Sequence, residues 1–215
     1  MIKHIVLSGG GPNNMSQLGC LYELWKNNII NYEFLESIYS TSAGALLGLN
    51  VVLKYDMTIV KDFYIKRPWH KVFSFKADKL MQVVENNGYI DTTFIEDIID
   101  MFLSAKNISK DITFIELYNI SNITFNIFAV KLTPFEKVVF NHELSPSMSV
   151  KIAILMSCAL PPMFKPILYK NEYYLDGGML CNYPINDCIL KYPIKEDILG
   201  LHVINGRKQI TEVFS

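Results

Sequence analysis

Two short apolar runs near the start of the chain, Ile2 to Leu7 and Phe34 to Tyr39, each end at a cluster of small residues. Each cluster is followed by apolar positions at helical spacing. Ser8-Gly9-Gly10-Gly11-Pro12 closes the first run, and Met15, Leu18, Leu21, Leu24 and Trp25 then mark one face of a helix that stops at Asn27-Asn28. The second run passes through Ser40-Thr41-Ser42-Ala43-Gly44 into an apolar helix from Ala43 to Leu53. Two strand-then-helix units in succession predict a parallel sheet with right-handed crossovers.

Helical spacing continues over Met57 to Lys66, Ala77 to Glu85 and Thr93 to Ala105, the last opening on capping-box spacing in Thr93-Phe94-Ile95-Glu96. Thr113-Phe114-Ile115-Glu116 repeats that device and predicts a short helix before Asn119. Ile123 to Lys131 and Glu136 to Asn141 read as strands of a hairpin or meander around Leu132-Thr133-Pro134-Phe135. A helix over Ser147 to Cys158 is closed by Pro161-Pro162. Short strands at Ile167 to Tyr169 and Tyr173 to Leu175 flank a turn at Lys170-Asn171-Glu172 and lead directly into Asp176-Gly177-Gly178. A helix over Ile185 to Leu190 and a strand over Ile198 to Ile204 complete an α/β pattern without internal repeat, low-complexity tract or linker.

Length and composition narrow the class. At 215 residues, half of them hydrophobic, the chain is expected to form one domain, residues 1–215, with a substantial core. Its end at Ser215, soon after the last predicted strand, leaves room for a longer native C-terminal region. Interspersed charges summing to −1 give no electrostatic footprint for nucleic acid. Cys20, Cys158, Cys181 and Cys188 are scattered, without a Cys-x-x-Cys pair or a nearby histidine set, so neither a metal site nor a disulfide framework is expected. A reducing, cytoplasmic setting is. The N-terminal run is too short for a signal peptide, and no apolar run reaches spanning length. The positive mean hydropathy fits a buried parallel sheet or an apolar surface meant for lipid. Trp69 to Phe75 reads either as core packing or as a lid or membrane-touching surface.

The candidate chemistry sits in the small-residue clusters. A serine at a tight strand-to-helix turn exposes its hydroxyl at the carboxyl end of a sheet, which makes Ser42 a candidate nucleophile; an ordinary helix N-cap is the other reading. Such a turn demands small neighbours, which Gly44 and, less well, Ser40 supply. Gly9, Gly10 and Gly11 can bring backbone N–H groups close to an anion or oxyanion, or simply form a glycine-rich turn. Both turns belong at the carboxyl edge of the sheet and are expected to face one crevice. Asp176-Gly177-Gly178 reads as a turn signature or as the carrier of a carboxylate.

Four motifs in this order resemble the patatin-like phospholipase family over nearly the whole chain. They are Ser8-Gly9-Gly10-Gly11 with Gly19-Cys20-Leu21, Ser40 to Gly44 with Ala45, Leu160-Pro161-Pro162-Met163-Phe164-Lys165-Pro166, and Asp176-Gly177-Gly178 with Asn182-Tyr183-Pro184. The resemblance implies a three-layer α/β/α sandwich with a mostly parallel central sheet. It implies acyl transfer in which Ser42 attacks an ester carbonyl and Asp176 takes its proton, with Gly9, Gly10 and Gly11 forming the oxyanion hole. Ser40, Gly44, Gly177 and Gly178 support the two motifs. No cofactor and no metal are implied. Two departures stand out. The family loop usually continues with a cation and a glycine where this chain has Asn13 and Asn14, and Ser40 replaces a glycine.

The resulting expectation is a lipid acyl hydrolase of phospholipase A or lysophospholipase type, acting on lipid esters at a membrane or micelle surface, with peripheral membrane association and no nucleic-acid partner. Two alternatives stay open. Ser42, Asp176 and His202 occur in the chain order of an α/β-hydrolase triad, although His202 falls inside the predicted last strand. The chain could also belong to a non-catalytic lipid- or protein-binding relative.

Overall fold

The first apolar run forms a buried strand, β1 (His4–Leu7), in the computed structural model, which describes residues 1–67 and 92–204. β2 (Ser37–Thr41) runs parallel to β1 with Ile38 beside Ile5, and β3 (Thr124–Lys131) runs parallel to β2 with Phe125 beside Ile38. β7 (Ile198–Leu201) closes the other side of β1, also parallel. At the far end β4 (Glu136–Phe140) and β6 (Glu172–Asp176) both pair antiparallel with β3, and β5 (Ile167–Tyr169) pairs with β6. The sheet is therefore parallel at its centre and antiparallel at one end.

Alternation along the strands divides the core between two faces. Ile5, Leu7, Ile38, Phe125, Ile127 and Ala129 belong to the larger cluster. They pack with α1 (Met15–Lys26), α2 (Ala43–Val52), α3 (Met57–Lys66), α4 (Thr93–Ala105), α5 (Phe114–Ser121) and α6 (Val150–Ser157). Val6, Tyr39 and Phe128 face the other way, onto Cys188 of α7 (Ile185–Lys191). Helices on both faces of a mixed sheet give the three layers.

Strand register brings the two ends of interest together. Along β3, β4 covers Ile127 to Lys131, overlapping both β2, which pairs with Thr124 to Phe128, and β6, which pairs with Ala129 to Lys131. A strand has two edges, so β2 and β6 share the edge opposite β4 and approach each other head-on. Thr41 pairs with Phe128 and Asp176 with its neighbour Ala129. The carboxyl ends of two strands far apart in sequence thus meet at one point.

Several boundaries differ from the sequence expectation. The second strand runs from Ser37 to Thr41, so Ser40 and Thr41 lie within it and the turn narrows to Ser42 alone. The Thr113 capping box forms, with Glu116 accepting from the Thr113 amide and Thr113 accepting from the Glu116 amide. The box expected at Thr93 does not: Thr93 is already helical, and the cap position is Thr92, one residue out of register with the box. The helix opened by Thr113 continues past Asn119 to Ser121 and ends at left-handed Asn122. β7 stops at Leu201, because the Val203 amide turns inward to the Ser8 hydroxyl. The expected helix over Ala77 to Glu85, the Trp69 to Phe75 stretch and His70 lie outside the described residues. Among the described residues no helix is long and apolar enough to cross a membrane.

Candidate active site

Ser42 is a one-residue turn between β2 and α2, with φ 55° and ψ −131°. A left-handed φ on a serine stores strain, and the surrounding contacts hold it there. Below it, α2 starts so close to β1 that a Cβ on Gly44 would lie 2.6 Å from the Ser8 carbonyl oxygen, so only glycine fits. The Ser42 amide donates to the Ser157 hydroxyl at 2.7 Å, and that hydroxyl donates to the Phe128 carbonyl at 2.6 Å.

The Ser42 hydroxyl donates to Asp176 Oδ2 at 2.6 Å, joining residues 134 apart in sequence. Asp176 Oδ1 accepts from the Gly178 amide at 2.6 Å. The carboxyl is almost fully buried, and burial raises its pKa from 3.8 to about 6 against the opposing pull of the Ser42 and Gly178 bonds. A carboxylate so placed can take a proton from Ser42 near neutral pH, which an ordinary aspartate does poorly. Cys158, at the end of α6, interacts with the Ser42 hydroxyl; burial, and next the Asp176 carboxylate, push its thiol pKa well up, so it stays neutral. Gly177 fits this corner only as glycine, because a Cβ there would lie 2.3 Å from the Phe128 carbonyl oxygen.

The glycine loop closes the third side. Gly9 is beside the nucleophile: a Cβ on it would lie 3.1 Å from Ser42 Cβ. Its amide, however, donates to the Asn182 carbonyl at 2.9 Å, which removes Gly9 from the expected set of oxyanion donors. The amides of Gly10 and Gly11 donate to no group among the described residues. Gly11 is the loop's left-handed residue, at φ 52°. Beneath it lies a buried polar mesh in which Asn14 and Gln17 donate to the Ser8 carbonyl at 3.2 and 2.9 Å and Gln17 also reaches Asn14.

The matching family model, described as Patatin-like phospholipase, spans residues 5–189, from β1 to α7. The chain belongs to the patatin-like phospholipase family. Among its relatives are "Probable lipid hydrolase 463L" of Invertebrate iridescent virus 6, 27% identical over 197 residues, and "Uncharacterized protein R571" of Acanthamoeba polyphaga mimivirus, 28% identical over 200 residues. These alignments cover 91% and 86% of this chain, which spans 66% and 60% of the relatives' own lengths. VipD from Legionella pneumophila shares the fold at TM-score 0.65 and 18% identity, over 93% of this chain and 49% of that one. ExoU, in its heterodimeric complex with SpcU from the type III secretion system of Pseudomonas aeruginosa, shares it at TM-score 0.52 and 18% identity, over 76% and 37%.

This patatin-like domain brings Ser42 and the glycine loop together, as their placement at strand ends predicts, and Asp176, Gly177 and Gly178 with them, as the family resemblance implies. It leaves His202 apart: the ring is exposed beyond β7 and stacks on Tyr183 at 4.4 Å, not buried within a strand as expected. The two departures from the family pattern are absorbed without strain. Asn14 is right-handed, at φ −64°, and serves as a buried hydrogen-bonding post for the loop, whose left-handed position is Gly11. Ser40 is buried in β2 and reaches the Asn126 carbonyl at 3.3 Å. Three contributors escaped the sequence reading. Ser157 showed only as a small residue at a helix end, Thr41, which donates to the Cys181 carbonyl at 2.9 Å, only as a member of the turn around Ser42, and Gln17 as a polar residue on an apolar helix.

Proposed function

We propose that this chain is a lipid acyl hydrolase of the phospholipase A or lysophospholipase type, cleaving carboxylic esters through Ser42 and Asp176. The observation that carries this reading is the 2.6 Å bond from the Ser42 hydroxyl to a buried Asp176 whose pKa is raised to about 6. Ser42 Oγ attacks the ester carbonyl carbon while its proton passes to Asp176 Oδ2. The oxyanion that forms is met by the amides of Gly10 and Gly11, each worth about 3 kcal/mol in such a role. Collapse breaks the ester bond, and Asp176 returns the proton to the departing alcohol. A water then gives a proton to Asp176, attacks the acyl-serine, and the fatty acid leaves as Ser42 recovers its hydrogen.

The family, with a relative named as a lipid hydrolase, supports a lipid ester as substrate, met at a membrane or micelle surface. The exposed, Tyr183-stacked position of His202 favours the two-residue mechanism over the triad. Release of p-nitrophenol from a medium-chain ester, with chelator present, tests the reading. Ser42→Ala and Asp176→Asn are expected to lose about 10³-fold or more in rate, and His202→Ala to stay near wild type. Loss in a folded His202→Ala would restore the triad. A wild type inactive on esters and on lipid micelles would point to a binding module.

A further inference from the structure

Ser157 at the end of α6 and the two residues after it hold the backbone at both reacting residues, and nothing in the mechanism above uses them. Ser157 is fully buried; it accepts from the Ser42 amide at 2.7 Å and donates to the Phe128 carbonyl at 2.6 Å. Thr41 is paired with Phe128, so a direct bond from the Ser42 amide to that carbonyl would simply continue the β2–β3 ladder. The Ser157 hydroxyl stands in the place of that bond and lengthens the rung by one oxygen. Opening the ladder there lets the chain leave β2 at Ser42 with its left-handed φ. Two residues on, the Ala159 carbonyl accepts from the Asp176 amide at 3.0 Å, and between them Cys158 interacts with Ser42. One tripeptide therefore holds the backbone of both Ser42 and Asp176.

We propose that Ser157-Cys158-Ala159 is a positioning clamp that sets the Ser42–Asp176 distance, with Ser157 as the positioning residue. The proposal rests on the hydrolase reading for its kinetic consequences and not for its geometry. A serine is suited to the task because its hydroxyl both accepts and donates, satisfying a buried amide and a buried carbonyl with a single oxygen. Alanine satisfies neither and frees the turn to drift toward direct pairing with β3. A misplacement of the order of 1 Å costs about 100-fold in rate, so the effect should fall on turnover and spare binding.

Ser157→Ala tests this by ester kinetics across pH and by a crystal structure of the variant. The expected result is a kcat about 10- to 100-fold lower with KM unchanged. The acid limb of the pH profile should also move to higher pH, because a retreating Ser42 hydroxyl no longer holds the Asp176 pKa down. The crystal structure should show a Ser42–Asp176 separation longer than 2.6 Å. A folded variant that keeps that separation overturns the proposal whatever its activity. So does a variant whose lost activity matches a lost folded fraction, with its pH profile unmoved. If the wild type proves inactive while the variant's separation has lengthened, the hydrolase reading fails and the clamp stands.

Discussion

Asp176 carries a conflict between function and stability that can be measured. Its pKa rises from 3.8 to about 6 on folding, chiefly through burial, so the folded state binds the proton more tightly than the unfolded one. Well below pH 3.8 the group is protonated in both states and costs nothing. As pH climbs through 6 the folded protein must hold a buried carboxylate, at about 3 kcal/mol. Asp176→Asn should thus be inactive yet more stable than wild type at pH 8, by up to about 3 kcal/mol, with the difference shrinking as pH falls from 6 and vanishing well below pH 3.8. Urea denaturation at the two pH values measures it; an Asn variant less stable at pH 8 would contradict it. The same ionisation sets activity. Wild-type kcat/KM should fall on the acid side with a midpoint near pH 6, and a limb below pH 5 would show that Asp176 is not the base.

Among the elements, the tight points are where α2 and the Asp176 turn press on strand carbonyls. Gly44→Ala drives a methyl to 2.6 Å from the Ser8 oxygen, and Gly177→Ala drives one to 2.3 Å from the Phe128 oxygen. Backbone cannot give way as a side chain can, so each substitution should cost about 1–3 kcal/mol of unfolding free energy, measured by urea denaturation. Their kinetic effects should differ in kind. Gly177→Ala pushes Asp176 off the β3 edge and should reduce kcat at least tenfold even at temperatures where the variant is fully folded. An active Gly177→Ala enzyme would mean that the turn has slack the packing does not show. These glycines were visible in the sequence as motif positions, yet the carbonyls they approach lie just past the end of β1 and in β3. Sequence marked them as small without saying what they must fit against.

At the scale of the whole molecule, stability and reactivity occupy different places. Ile5, Ile38 and Ile127 lie at the centre of a doubly covered sheet with no exposed surface, whereas the amides of Gly10 and Gly11 carry no hydrogen bond among the described residues. Amide hydrogen exchange should follow that division. The amides of β1, β2 and β3 should exchange only through global unfolding, and those of Gly10 and Gly11 within the fastest class. Protection of the glycine amides equal to that of the sheet would mean they are already engaged and not free to meet an oxyanion.

The sequence by itself determined the alternation of strands and helices, the small-residue turns at Ser42, Gly9 to Gly11 and Asp176, and the family those turns mark. Periodicity, capping and turn chemistry act over a few residues, and so they can be read locally. It left strand ends uncertain by two or three residues, because the end of β2 is set by its register on β3 and the end of β7 by the pull of Ser8 on Val203. Only the tertiary structure decided that β2 and β6 meet head-on along one edge of β3 and that Ser42 bonds to Asp176 at 2.6 Å. It alone removed Gly9 from the donor set and inserted Ser157 into the ladder. Each of these depends on groups brought together from distant parts of the chain, and the raised pKa of Asp176 exists only once that assembly has excluded water from the carboxyl.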